Sequence, residues 1–172
     1  MGFLDRIFNR SVVPPQPEMP NVTTGLTQST INSIMSGKLV RLNISKVVLQ
    51  KGEECYFCDH AVRIDERLRV VGRQRTGGGF SVRIIRGLSY HIGNGGSMTV
   101  REKVQDYQEG NFYITNKRMI FSASEKSFSK RISDLISYNI QDGDLILQFE
   151  KGDYCIHLPI VECAEQIIKQ LL

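Results

Sequence analysis

The residues of this 172-residue chain that could carry chemistry are few, and the most suggestive are Cys55 and Cys58, followed by His60. A structural zinc site needs about four ligands, normally two such cysteine pairs or one pair with spaced histidines. The other two cysteines, Cys155 and Cys163, are distant in sequence and do not form a second pair of this kind. On a regular strand Cys55 and Cys58 point to opposite faces. We therefore predict ordinary strand cysteines and no metal or cofactor, with a metal site and a redox pair as the alternatives.

The histidines do not form a catalytic pattern with other residues. They fall on three separate predicted strands, as His60, His91 and His157, with no convergent Ser, Cys or Glu. The chain contains no nucleophile elbow and no zinc-protease motif. The glycine run Gly77–Gly79 lacks the Gly-Lys-Ser/Thr that completes a phosphate-binding loop. We predict that the protein is not an enzyme.

The charge of the chain is unevenly distributed. The net charge is +4. Residues 60–103 carry +6, whereas residues 1–59 carry +1 and residues 104–172 carry −3. The central third is therefore basic, a composition typical of proteins that bind anionic partners.

Six arginines form this basic stretch, which we call the arginine belt: Arg67, Arg69, Arg73, Arg75, Arg83 and Arg86. The first four members share the parity of a strand, so the first two and the last two of them could line one face. Beside the glycine-rich loop, such a face would bind phospholipid headgroups, a phosphorylated peptide or nucleic acid. The alternative is a solvated sheet face with scattered ion pairs.

The N-terminal residues 1–20 are predicted to be a short amphipathic hook on a proline-rich linker. Four apolar residues have helical spacing: Phe3, Leu4, Ile7 and Phe8. The segment Val12–Pro20 holds four of the five prolines, which favours an extended tether. The hook could dock on a lipid interface, on a partner or on its own domain. Its lack of lysines favours a partner or self docking, and a tail without function is the alternative.

The chain between the linker and the terminus predicts two helices. Residues 21–45 are a helical lead-in, in which Thr27 is the expected N-cap of a helix that ends at Ser36, before Gly37. The segment Pro159–Leu172 predicts a terminal amphipathic helix. Since the N-terminus lacks a secretory signal, we expect a cytoplasmic protein with reduced thiols, which could associate peripherally with a membrane.

The residues between these helices have the alternation of short strands separated by turns. The first predicted strands are Lys46–Leu49, Glu54–Ile64, Leu68–Arg75, Phe80–Ile85, Leu88–Ile92 and Met98–Tyr107. Turns are predicted at Glu109–Asn111, at Asn116–Arg118 and at the Asp-Gly pair Asp142–Gly143. The pattern predicts a mainly β, α+β fold, in which the sheet curls into a barrel or sandwich and the terminal helix covers an open end.

Two segments, with the residues that follow one of them, give the chain a family resemblance. The run Glu109–Phe121, with its Ile-Thr-Asn-Lys-Arg core, resembles a hairpin of bacterial pleckstrin-homology-like and GRAM-type domains. The continuation Phe128–Leu135 and the upstream segment Leu49–Glu54 are similar to the same domains. The resemblance covers roughly Leu39 to Leu172. It implies that residues 46–172 form a partly open β-barrel capped by an α-helix, from a family that binds phosphoinositides, peptides or other proteins.

The segments Gly79–Ile84 and Arg86–Tyr90 resemble an uncharacterised bacterial subset of these domains. The resemblance implies a non-catalytic cytoplasmic binding module that engages a protein partner or an anionic membrane surface. A nucleic-acid-binding accessory protein that uses the arginine belt is the alternative. Phe80 and Tyr90 are the nearby aromatic residues and the chain has no tryptophan, which disfavours binding of single strands by stacking.

Overall fold

The computed structural model describes residues 17–75, 88–92 and 97–172. The first helix, α1 (Gln28–Met35), begins where the sequence predicts it. The hydroxyl of Thr27 accepts a hydrogen bond from the Thr30 amide at 3.3 Å, so it caps the helix N-terminus. After the helix, Gly37 adopts a left-handed φ of 80°, the conformation that commonly ends helices at glycine.

Among the described residues, eight strands and a second helix follow α1. The strands are β1 (Cys55–Arg75), β2 (Leu88–Ile92), β3 (Ser97–Thr115), β4 (Arg118–Ala123), β5 (Phe128–Arg131), β6 (Leu135–Gln141), β7 (Asp144–Phe149) and β8 (Gly152–His157). A single 3-10 turn at Ile132–Asp134 joins β5 to β6. The last element is α2 (Val161–Leu171), so the terminal helix begins just after the predicted Pro159.

The strands form one antiparallel sheet. Seven of them follow the order β5-β4-β3-β1-β8-β7-β6, and β2 pairs with β3 beside this path. The prediction of a mainly β fold with a C-terminal helix is therefore confirmed. The sheet is not closed, because β5 and β6 stand at the two ends of the path. No helix in the described ranges is long and apolar enough to cross a bilayer.

The hydrophobic core lies between the sheet and the two helices. The buried side chains of α2 include Ile167 and Ile168, which pack in one cluster with Phe112, Phe121 and Leu147 of the strands. Ile34 of α1 belongs to the same cluster and is fully buried. The apolar stripe of each helix thus covers the inner face of the sheet, which explains why the helices form at these places.

Strands β1 and β3 are much longer than the sequence predicts. The expected strands Glu54–Ile64 and Leu68–Arg75 are joined in the single 21-residue strand β1, and the expected turn Glu109–Asn111 lies within β3. Gly110 allows β3 to approach β4 closely, because a Cβ atom at this position would stand 2.5 Å from the Ser122 carbonyl oxygen. A glycine in a strand can mark such an approach instead of a turn.

Of two further expected strands, one is wrong and the other is not tested. The segment Lys46–Leu49 has no strand structure, and the nearby pairing is one isolated bridge between Leu42 and Cys55. The segment Phe80–Ile85 lies outside the described residues. By contrast, the Asp142–Gly143 turn is confirmed, because both residues have positive φ angles, 54° and 87°, as a tight hairpin turn of the mirror-image type requires.

Beyond the core, β1 and β3 continue as an arm. Strand β8 pairs with β1 only from Val62 to Ile64, and β4 pairs with β3 only from Gly110 to Ile114. The β1–β3 ladder runs on to the pair Arg75 and Ser97, with β2 on the other side of β3. The part of β1 after Ile64 is therefore paired with β3 and, in the described chain, not with β8.

Candidate functional site

The two segments that carry the family resemblance meet in space. The buried carboxylate of Glu53 accepts hydrogen bonds from Arg118, at 2.8 Å from Nε and 3.1 Å from Nη2. The Thr115 hydroxyl and the Gln50 amide also donate to it, each at 2.7 Å. We call Glu53, Thr115 and Arg118 the Glu53 buckle. Burial by itself raises the pKa of Glu53, but the hydrogen bonds from Arg118, Gln50 and Thr115 outweigh it, so the pKa lies below its ordinary value of 4.5.

The other residues of the Thr-Asn-Lys-Arg turn close on the same segment. The Asn116 amide oxygen accepts a hydrogen bond from the Glu54 amide at 2.9 Å, and its nitrogen donates to the Gly52 carbonyl at 3.1 Å. The Lys117 ammonium donates to the Lys51 carbonyl at 2.6 Å. Because these side chains bond to the segment before β1, the motif holds the β3–β4 turn against the entry to β1, and of its two cations Arg118 is neutralised by Glu53.

The arginine belt is only partly within the described residues. The register places Arg67 opposite Val104, Arg69 opposite Glu102, Arg73 opposite Thr99 and Arg75 opposite Ser97. A shift between Val70 and Gly72 adds one residue to β1. This bulge lies between the first two and the last two arginine positions, so the four do not follow one continuous register. Arg83 and Arg86 lie outside the described residues, and anion binding by the belt stays a prediction.

The N-terminal hook also lies outside the described residues, because the description of the chain begins at residue 17. This applies to all four of its apolar side chains, Phe3, Leu4, Ile7 and Phe8. Its docking on a partner, on a lipid surface or on the domain stays a prediction.

The prediction that Cys55 and Cys58 point to opposite faces is wrong. A β-bulge between Cys55 and Phe57 places Cys55 opposite Thr115 and Cys58 opposite Tyr113, so both thiols face one small cluster with Tyr113. Desolvation raises the pKa of Cys55 to about 12 and also raises that of Cys58. Neither thiol is thus activated as a nucleophile. Within residues 17–75, 88–92 and 97–172, no group of three or more His, Cys, Asp or Glu side chains is placed to hold a metal ion.

One cluster on the outer face of β7 and β8 combines a thiol, a carboxylate and an imidazole. Asp144 Oδ1 lies 2.7 Å from His157 Nδ1, and Asp144 Oδ2 lies 3.9 Å from Cys155 Sγ. The carboxylate stands between the other two groups. Desolvation, followed by the charge of Asp144, raises the pKa of Cys155 to about 11. Because the thiol bonds to the carboxylate and its pKa is raised, this arrangement does not activate a cysteine nucleophile.

One opening of the described surface is the cleft where β1 leaves β8. Its volume is about 640 Å³. We call it the β1–β8 cleft, and its lining consists of Ile64–Arg67, Gln105, Lys126, Gln141, Asp142, Asp144, Ile146 and Asp153–Cys155. The last paired residues at its closed end are Ile64 and Cys155. The lining combines a strand edge, half-buried apolar side chains and charged groups, a composition that suits a binding site.

A chain of ion pairs fixes the arm side of the cleft. Lys126, from the β4–β5 turn, lies 2.7 Å from Asp65 and 3.0 Å from Asp106. Arg67 lies 2.7 Å from the other oxygen of Asp106, and Arg63 lies 3.0 Å from Asp65. The hydrogen bonds that Lys126 donates to Asp65 and Asp106 raise the pKa of Lys126, and the bond from Lys126 lowers the pKa of Asp106. The described arginines near the cleft are thus already paired with carboxylates.

The cleft is net acidic. Five carboxylates line it against two cations: Asp65, Glu66, Asp142, Asp144 and Asp153 against Arg67 and Lys126. Sequence reasoning missed this site, because its residues come from β1, the β4–β5 turn, the β6–β7 turn and β8. The Asp142–Gly143 turn was the only local signal, and it indicated a hairpin without indicating a ligand.

No protein-family model, curated protein or solved structure matches this chain. The site is therefore interpreted from its geometry and from its charges.

Proposed function

We propose that this chain is a non-catalytic binding module with a pleckstrin-homology-like fold, and that it engages a protein partner through the β1–β8 cleft. The fold part of the proposal is supported by the seven-strand path, by the terminal helix over the core and by the Glu53 buckle. The buckle joins the two segments whose sequence carries the resemblance. Because Glu53, Thr115 and Arg118 hold the two segments together, their contacts explain why these residue types occur there.

The observation that carries the functional part is the divergence of β1 from β8 after three residue pairs. A strand that leaves its neighbour opens a cleft and exposes backbone hydrogen-bonding groups along its edge. Such edges bind protein segments by strand addition. The cleft also has half-buried apolar groups, such as Ile64 and Tyr154, which a protein side chain could cover.

The charges favour a protein over an anionic membrane or nucleic acid at this site. Phospholipid headgroups and phosphodiesters would meet the excess of carboxylates in the cleft. Arg67 and Lys126, its two cations, are both bound to Asp106. An anionic surface would have to displace these pairs, whereas a protein segment can supply complementary charge.

The test is site-specific photo-crosslinking in the native cell. Glu66 is exposed at the cleft, so Glu66→p-benzoylphenylalanine should capture a discrete protein. The matched control is Ser137→p-benzoylphenylalanine, on exposed β6 away from the cleft. The captured protein is then purified and titrated against the full chain by calorimetry.

We expect one-to-one binding that weakens by about tenfold or more when Gln105→Trp fills the cleft, while Ser137→Trp leaves it unchanged. Equal binding to both variants would contradict the proposal. Flotation with phosphatidylserine vesicles, or retention on DNA or RNA, at physiological salt and without a crosslinked protein, would overturn it in favour of a membrane or nucleic-acid ligand.

A further inference from the structure

The edge of β1 and the charges of the cleft together indicate the chemistry of its ligand. This inference rests on the proposed function. The edge of β1 at Asp65–Arg67 is paired with β3 on one side. On the other side its last described partner is Cys155, opposite Ile64. Within the described residues, no strand pairs with the backbone groups that follow on this side. An added strand would lie about 4.8 Å from β1, in the space into which the cleft opens.

The cleft floor fits an extended segment with alternating side chains. Ile64, Ile146 and Tyr154 are half-buried in the lining. The ring of Tyr154 packs against Phe128, with 4.1 Å between the ring centroids. This contact fixes the position of the Tyr154 ring. The register places Ile64 and Ile146 opposite Cys155, on the same face as Asp153, whereas Tyr154, opposite Leu147, lies on the other face. Because the side chains of a strand alternate, successive residues of an added strand would contact these two faces in turn.

The uncompensated charges of the cleft are negative. Asp65 is paired with Arg63 and Lys126, Glu66 with Lys103, and Asp144 with His157. Asp142 and Asp153 are exposed and form no ion pair within the described part of the chain. They stand on two different elements, the β6–β7 turn and the start of β8, on the side of the cleft that faces the β1 edge. Cationic side chains on the added strand would be attracted to both.

We propose that the β1–β8 cleft binds an extended segment of a partner protein, rich in lysine or arginine and alternating with apolar residues, as an added strand on the edge of β1. The backbone of Asp65–Arg67 supplies the strand pairing. Tyr154 receives the apolar side chains on one face, and on the other face the aliphatic stems of the cationic side chains cover Ile64 and Ile146. The carboxylates of Asp142 and Asp153 select the cationic ones.

The test uses a fluorescein-labelled peptide of alternating arginine and valine, about eight residues long, a typical length for a strand. Its binding to the full chain is measured by fluorescence anisotropy. We expect saturable binding that weakens as salt is raised, and no binding of the matched peptide in which glutamate replaces arginine. The same arginine peptide with methylated backbone nitrogens keeps its charge but cannot pair as a strand, so it should bind at least about tenfold more weakly.

The variant Asp142→Asn with Asp153→Asn removes the two uncompensated charges. We expect it to weaken binding by about threefold to thirtyfold, the range expected for two exposed ion pairs. The control, Asp134→Asn with Glu162→Gln, makes the same change of net charge at exposed positions outside the cleft and should bind like the parent. Equal loss in the two double variants would show attraction by net charge alone and would overturn the inference, as would undiminished binding of the methylated peptide.

The two proposals can fail separately. If position 66 captures a protein and Gln105→Trp weakens its binding, but the arginine peptide does not bind, the cleft is a protein-binding site and the cationic strand is wrong. Absence of peptide binding thus overturns this inference without affecting the photo-crosslinking result on which the proposed function depends.

Discussion

The guanidinium of Arg118 and the carboxylate of Glu53 form a two-pronged ion pair between residues 65 positions apart in the sequence. The Glu53 side chain is fully buried and that of Arg118 is 19% exposed. A buried carboxylate is stable in the folded protein only when it is paired and hydrogen-bonded. The pair therefore joins the entry of β1 to the β3–β4 turn, and several predictions depend on it or on the core beside it.

Removal of Arg118 should strongly destabilise the fold. In Arg118→Ala the buried carboxylate of Glu53 loses its counterion, so we expect the free energy of unfolding to fall by about 3–5 kcal/mol. Urea denaturation measures it. The neighbouring Lys117→Ala removes an exposed cation whose bond is to a carbonyl, and it should cost less than about 1 kcal/mol. Similar losses in the two variants would contradict a structural role of the buckle.

The pH dependence of stability should include a contribution from Glu53. Its pKa in the folded protein lies below the ordinary value of 4.5, since the hydrogen bonds that it accepts outweigh the opposing effect of burial. The stabilisation is therefore complete above about pH 4.5 and is lost as the pH falls through the lower folded pKa. Melting temperatures between pH 6 and pH 2 should fall less steeply in Glu53→Gln than in the parent. Glu162→Gln, at an exposed helix position, is the control, and a slope of Glu53→Gln equal to that of the parent would refute the assignment.

Gly110→Ala should destabilise the sheet. The added Cβ would stand 2.5 Å from the Ser122 carbonyl oxygen and 2.8 Å from Phe121 Cζ, so the β3–β4 ladder must shift. Such overpacking typically costs about 1–3 kcal/mol. Gly25→Ala is a matched control, because the nearest atom to its Cβ is 3.8 Å away. Thermal or urea denaturation that shows no difference between the two variants would be evidence against the close approach of β3 and β4.

The terminal helix should be essential for a soluble fold. Ile167 is fully buried in the core cluster, and Ile167→Ala should lower the free energy of unfolding by about 2–5 kcal/mol. Val48→Ala, whose side chain is 88% exposed, should change it by less than about 0.5 kcal/mol. A chain that ends at Leu158 should aggregate, because the inner face of the sheet loses its cover. Cooperative melting of a soluble truncated chain would contradict this packing.

The thiol of Cys55 should react slowly in the folded protein. Desolvation raises its pKa from 9.0 to about 12, so its thiolate fraction at pH 8 is about 1,000-fold smaller than that of an ordinary cysteine. Mass spectrometry after brief iodoacetamide treatment should find Cys55 unmodified in the native protein and modified in guanidinium. Rapid native labelling of Cys55 would show that the cluster around Tyr113 is open to solvent.

Much of the local structure was predictable from residue types. The Thr27 cap and Gly37 bracket α1 because a hydroxyl at the N-cap and a left-handed glycine after the helix act through the adjacent backbone. Asp142 and Gly143 set a tight turn for the same local reason. The candidate site was not predictable in this way, since its lining comes from four separated segments of the chain.

The sequence by itself determined the two helices, the β character of the residues between them and the segments that form the Glu53 buckle. Only the tertiary structure decided that β1 and β3 run on as an arm and that β1 leaves β8 after Ile64. It also decided the bulges near Cys55 and Val70, the first of which brings Cys55 and Cys58 to one face. Caps and turns depend on a few adjacent dihedral angles. The length, register and free edges of a strand depend on the strands beside it, which lie far away in the sequence.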